Sequence, residues 1–189
     1  LKIPDNELNQ FFKLSGLPSE IKGTVNLIAE TNDVNEILNI KVDFIGDGLQ
    51  MVRKINFKEK SIVNDLIEIK DSSEYKGQGA NIFYNQVKYA SENNFKNITA
   101  LAIRDDGYNG YYTWARLGYM PKNEFKSTIN KFNKIYQTDV KNFPELIGTK
   151  TGQEFWKKEG ETFLGIFDLD KNSYSMNTLK NYINGKGKK

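Results

Sequence analysis

Leu38, Ile40, Val42 and Phe44 alternate with Asn39, Lys41 and Asp43, the period of a strand with one buried face. Leu49, Met51, Ile55 and Phe57 continue the alternation after Gly46-Asp47-Gly48, which marks a turn. Lys58-Glu59-Lys60 turns the chain again, and Ile62 to Ile69 forms another strand. With a strand expected over Thr24 to Ala29, this is a meander of four antiparallel strands. A helix precedes it: Pro4-Asp5 starts it, Leu8, Phe11, Phe12 and Leu14 give its apolar face, and Gly16 stops it.

The period then changes. Ile82, Phe83, Val87 and Ala90 recur at helical spacing to about Asn94, and Ile98 to Ile103 is a nearly continuous apolar strand. Strand, helix and strand in that order favour a parallel crossover. Beyond Tyr119 the pattern predicts an amphipathic helix capped by Asn123, with Phe125, Ile129, Phe132 and Tyr136 on one face. A short turn or helix opens at Asn142-Phe143-Pro144. Thr151 with Glu154 reads as the capping box of a helix that holds Phe155 and Trp156 and ends at Gly160. Thr162 to Asp168 reads as a strand, and Ser175 as the cap of a last helix with Leu179, Tyr182 and Ile183.

A length of 189 residues suits one domain over 1–189, with its core in about 24–120 and an extension over 121–189. No apolar run is long enough to span a membrane, and the start has no signal-peptide h-region. The chain does not begin with Met, which suits an excised or processed piece of a longer protein. It has no Cys and no His, which excludes thiol nucleophiles, disulfides, imidazole bases and imidazole metal ligands, so no metal site is expected. A cytoplasmic location is the expectation from the absent Cys. Net charge is +3, but residues 171–189 carry five Lys and no acid, so the remaining 22 basic and 24 acidic residues give −2. Charge therefore gives no footprint for nucleic acid.

The stretch with chemistry begins where the fourth strand ends: Ile69-Lys70-Asp71-Ser72-Ser73-Glu74-Tyr75-Lys76-Gly77-Gln78-Gly79-Ala80-Asn81. A glycine turn opening a helix leaves backbone N–H groups pointing at one spot beside the positive helix end, a place for an anion. Gly79 is followed by Ala80-Asn81 and not by Lys and Ser/Thr, so this is no Walker loop. Ile82 stands where a dinucleotide fingerprint needs its third glycine. Lys76-Gly77-Gln78-Gly79-Ala80-Asn81 resembles instead the pyrophosphate loop of the GNAT acyl-CoA N-acetyltransferases, Arg/Gln-x-x-Gly-x-Gly/Ala. Gly77 and Gly79 match, while Lys76 and Asn81 depart from the pattern. Tyr111 to Tyr119, ending Leu117-Gly118-Tyr119, is similar to the short helix that follows the family's fifth strand.

The resemblance implies an α/β (α+β) fold: a GNAT-like mixed sheet, an antiparallel meander then a parallel strand pair around a central V-shaped cleft, here with helical C-terminal additions. It implies transfer of an acetyl group from acetyl-CoA to a primary amine of a small molecule or a protein. The turn amides of Gly77, Gln78, Gly79, Ala80 and Asn81 would hold the diphosphate, Lys76 would reach a CoA phosphate, and the backbone of Ile69 and Asp71 would pair with the pantetheine arm. The amine must lose a proton, since an ammonium near its ordinary pKa of about 10.4 has no lone pair. Glu68 is the candidate base; by alternation it shares a face with Ile62 and Leu66, where burial would raise its pKa. Trp114 stands where the family often has an acidic Tyr, which leaves Tyr111 as candidate acid. Arg116 is a candidate for a phosphate or carboxylate. The plainer roles stay open: a strand-to-helix connection, a surface lysine, a structural carboxylate and packing aromatics. So does a non-catalytic module of the same fold that binds CoA or a protein partner within a larger protein.

Overall fold

The computed structural model describes residues 5–33, 37–46, 48–105 and 107–186. Pro4, Asp47, Asp106 and 187–189, on which parts of the expectations above fall, lie outside the described residues, as do the side chains of Leu8 and Leu38. The chain divides into two compact units, Leu1–Ile98 and Thr99–Lys189. The main sheet has seven strands, antiparallel apart from one parallel pair.

The first unit holds α1 (Asp5–Ser15), β1 (Thr24–Thr31), β2 (Ile37–Gly46), β3 (Leu49–Asn56), β4 (Ser61–Ile69), α2 (Gly79–Glu92) and the start of β5 (Asn97–Ala102). β1 to β4 form the meander that the alternation predicts. Lys96 N–H donates to the Lys60 carbonyl (2.7 Å), just before β5 and β4 begin, so the two strands start side by side and run the same way. α1 ends at Gly16, whose φ of +79° is a left-handed conformation open to glycine. A side chain there would also meet the Ile82 carbonyl 2.1 Å away, so Gly16 lets α1 lie against α2.

Leu49, Met51, Arg53 and Ile55 are all buried on one phase of β3. They pair with Ile69, Ile67, Asn64 and Ile62 of β4, and the register slips at Asp65, a β-bulge. One extra residue in a strand reverses the face of everything after it. Glu68 therefore lies opposite Gln50, away from Ile62, and it is exposed. The expected apolar setting of Glu68 is corrected by the bulge. Buried Arg53 donates from Nη1 to the Leu66 carbonyl (2.9 Å) beside that irregularity.

One buried polar network joins three elements. Asn64 and Gln86 exchange side-chain hydrogen bonds (2.9 and 3.0 Å), and Gln86 Nε2 also donates to the Leu14 carbonyl (3.1 Å). Gln86→Leu should lower stability by about 2–4 kcal/mol, because the buried Asn64 amide loses both hydrogen bonds to Gln86 and the Leu14 carbonyl loses the one it accepts from Gln86. The double variant Asn64→Leu/Gln86→Leu should recover part of that loss. A urea-denaturation cycle measures the coupling.

The second unit holds the rest of β5, then β6 (Arg104–Asp105), β7 (Tyr108–Asn109), α3 (Gly110–Arg116), β8 (Met120–Pro121), α4 (Lys126–Tyr136), α5 (Phe143–Ile147), α6 (Lys150–Glu159), β9 (Phe163–Asp168) and α7 (Tyr174–Lys186). Several caps differ from the sequence reading. Phe125, not Asn123, precedes α4; its ring packs on Trp156, Phe143 and Phe163. Thr149, not Thr151, caps α6 by accepting from Gly152 N–H (3.0 Å). Gly152 sits so close that a Cβ would lie 1.8 Å from the Leu146 carbonyl, which fixes where that helix starts. Ser173 accepts from Met176 N–H at the start of α7, while Ser175 is buried and accepts from Asp168 N–H. Asn142 does cap α5, in a reciprocal pair with Glu145. The Lys131 ammonium, 2.6 Å from Glu159, ties α4 to α6 and holds the Glu159 carboxyl below the usual range.

Candidate functional site

The turn after β4 is built by its own backbone. Lys70 N–H donates to the Gly48 carbonyl (2.8 Å), which keeps the strand paired to its end. Ser73 and Lys76 N–H groups close successive tight turns on Lys70 and Ser73, and Gln78 N–H donates to Tyr75 (2.9 Å). Gly77 takes φ +80°, with nothing within 4 Å of where a Cβ would stand. A side chain would fit there sterically, so the glycine is required by the backbone and not by crowding.

α2 then starts without help. Its N-cap is Gln78 (φ −84°, ψ −5°), no side chain caps it, and its first turn carries no acid. The Gln78 carbonyl accepts from both Asn81 and Ile82 N–H groups (2.9 Å each). Among the described residues no acceptor is seen for the N–H groups of Gly77, Gly79 and Ala80. Of the five amides expected to be offered, those of Gln78 and Asn81 are engaged inside the turn, and three remain. They stand at the positive end of a 14-residue helix.

The side chains around them are exposed. Lys76 Nζ lies 3.1 Å from Asp71 Oδ1, an ion pair open to water. Asn81 Nδ2 donates to Gln78 Oε1 (2.6 Å). Ile69 is paired with Leu49 on its β3 side. Beside the turn, a cleft of about 600 Å3 is lined by Pro18, Glu20, Tyr75, Gln78, Asn81 and Asn85 among others. Its walls come from the α1–β1 connection, from Glu74, Tyr75 and Gln78 of the turn and from α2, a convergence that amphipathic patterning does not show.

Tyr111 belongs to the second unit and lies on α3, not in the turn before it. It is buried, and its hydroxyl donates to the Lys157 carbonyl (2.6 Å). Its N–H donates to Ile103, its carbonyl accepts from Trp156 Nε1 (3.0 Å), and the Arg104 guanidinium covers its ring. All its polar atoms are used in holding α3 to α6 and to the β5 end. Trp114 packs at 5.0 Å on Tyr119. Arg116 lies between the rings of Tyr112 and Tyr182 (5.1 Å each), and Arg104 closes the end of α6 through the carbonyls of Lys158 and Gly160.

No family model matches the sequence, and no curated protein does. Among solved structures, the chain is similar to nourseothricin acetyltransferase at 10% identity and TM-score 0.36, over 65% of this chain and 82% of that one. It is also similar to an acetyltransferase from Bacillus cereus ATCC 14579 at 14% identity and TM-score 0.29, over 63% and 75% of the two chains. Likenesses this distant leave the site to be argued from the chain's own atoms. Among the described residues no helix is long and apolar enough to cross a membrane.

Proposed function

We propose that the 71–81 turn binds the diphosphate of acetyl-CoA and that the protein transfers the acetyl group to a primary amine. The observation that carries this is the set of amides of Gly77, Gly79 and Ala80 at an uncapped, acid-free helix start, set up by a left-handed glycine. A diphosphate supplies the acceptors that such amides lack, and the helix dipole favours its charge. Lys76 is near enough in sequence to change partner from Asp71 to a phosphate at small cost, since its present ion pair is exposed. The backbone of Ile69 and Asp71 takes the pantetheine arm in this reading.

The chemistry is direct attack. Glu68, exposed on its strand, takes a proton from the substrate ammonium through water. The free amine nitrogen bonds to the thioester carbonyl carbon, the C–S bond breaks, and CoA leaves as a thiolate. A thiol of pKa about 8.5 is a sufficient leaving group without an acid. Tyr111 is not assigned that role, because its proton is held by the Lys157 carbonyl. The same observation favours a second reading, a module that binds CoA without turnover.

Two measurements separate them. CoA at about 100 times its dissociation constant should add about 2.7 kcal/mol and raise the melting temperature by about 5–10 °C on either reading. Release of free CoA thiol from acetyl-CoA in the presence of an amine panel is expected only from the transferase. Glu68→Gln should slow that release by about 100-fold or more while leaving the CoA-induced shift intact. An unchanged rate would remove Glu68 as the base, and an absent shift would remove the CoA site.

A further inference from the structure

β1 ends the sheet. Its eight residues, Thr24 to Thr31, pair with β2 on one side, and among the described residues nothing pairs with the other. An open edge of this length is a template for another strand, and proteins usually blunt it with Lys, Pro or a central bulge. β1 has neither Lys nor Pro, and its register slip falls at the far end, between Glu30 and Thr31. Ile28 is 46% exposed on it, and Asn26 is exposed as well.

We propose that β1 pairs antiparallel with β1 of a second copy of this chain, about a two-fold axis at Asn26, so that two sheets join edge to edge. The sequence of the strand is self-complementary in that register. A two-fold axis normal to the sheet keeps each face continuous, so only residues of the same face meet. Val25 then stands opposite the partner copy's Leu27 on the face that carries Phe44 and Val42. On the other face Thr24 meets Ile28 and covers its exposed side chain. Asn26 meets its own equivalent, where two amides donate and accept reciprocally. At both ends Lys22 meets Glu30, which in its own chain also accepts from Asn39 Nδ2 (3.0 Å) and lies 3.7 Å from Lys54, so the opposite-charge contact adds to that network twice. Shifting the register by two residues in either direction loses this pair and sets Glu30 against Thr24 or against Glu20. Strand pairing alone buries little surface, which suits a reversible dimer with a dissociation constant of roughly 10 μM.

Sedimentation velocity on the whole protein from 1 μM to 500 μM tests this. The parent protein should pass from monomer to dimer across that range. Asn26→Lys sets two ammonium groups face to face at the axis and should weaken the dimer at least tenfold, with an unchanged circular-dichroism melt because Asn26 is exposed. Asn26→Asp should weaken it likewise. An equimolar mixture of the two variants should dimerise again, since only at the axis does a residue meet its own equivalent. A parent protein monomeric at 500 μM overturns the proposal. So does a dimer that survives Asn26→Lys, or a mixture that fails to recover; a monomer that captures an extended peptide from another protein overturns it in favour of a foreign strand.

Discussion

Gly77→Val should cut the affinity for CoA by about 10- to 100-fold while lowering the melting temperature by only about 2–6 °C. Nothing blocks the added side chain, for no atom lies within 4 Å of the Cβ position. The penalty is in the backbone. At φ +80° a β-branched residue stores about 1–2 kcal/mol, and an exposed turn sheds that strain by moving. Once residue 77 leaves the left-handed region, the N–H groups of Gly77, Gly79 and Ala80 lose the arrangement proposed to hold the diphosphate. Each amide hydrogen bond to a charged oxygen is worth about 1.5–3 kcal/mol, so losing one gives about the stated range. Gly107→Val is the matching control. Gly107 also has positive φ (+87°) and an open Cβ position, but it lies in the β6–β7 turn. It should show the same thermal cost and no change in CoA affinity by calorimetry. Equal affinities for parent and Gly77→Val would end the amide-cradle reading, whatever the fate of the transferase chemistry.

The elements of the first unit were legible because period and punctuation agree. β2 alternates from Leu38 to Phe44 and β3 does so apart from Val52 and Arg53, and Gly16, Gly46, Gly48 and Gly77 stand where the chain must turn. One sign of a departure was also in the sequence. Arg53 occupies the apolar phase of β3 among Leu49, Met51 and Ile55, and its burial against the Leu66 carbonyl marks the irregularity in β4. The bulge at Asp65 itself leaves no compositional trace, since it is a matter of pairing, and plain alternation therefore puts Glu68 on the face of Ile62. At the site, the glycine turn could be read but the number of available amides could not. That number depends on Gln78 donating back to Tyr75 and on the Gln78 carbonyl taking two N–H groups at once. Caps in the second unit failed for a related cause. Thr149 and Thr151 have equal propensity, and the fit of Gly152 under the Leu146 carbonyl decides between them. The two residues of β8 are too few for any period to show.

The largest loss of stability is expected from Trp156→Ala, about 4–6 kcal/mol, or at least 8–10 °C in melting temperature. Trp156 is fully buried, with ring centroids 4.9 Å from both Phe125 and Phe143 and 6.2 Å from Phe163. These rings bring together the start of α4, α5, α6 and β9, elements whose helices are short and could not persist alone. Removing the indole leaves a cavity that three large aromatics cannot fill without leaving their own rotamers. It also removes the Nε1 donor from the Tyr111 carbonyl, a hydrogen bond between α6 and α3 that contributes about 0.5–1.5 kcal/mol. Trp156→Phe separates the two contributions: it keeps most of the apolar volume and loses the hydrogen bond, so about 1.5–3 kcal/mol is expected. Guanidinium denaturation of the three proteins gives both differences. If the alanine variant lost no more than the phenylalanine one, the aromatic cluster would not be what holds these four elements together, and the hydrogen bond to Tyr111 would carry that role instead.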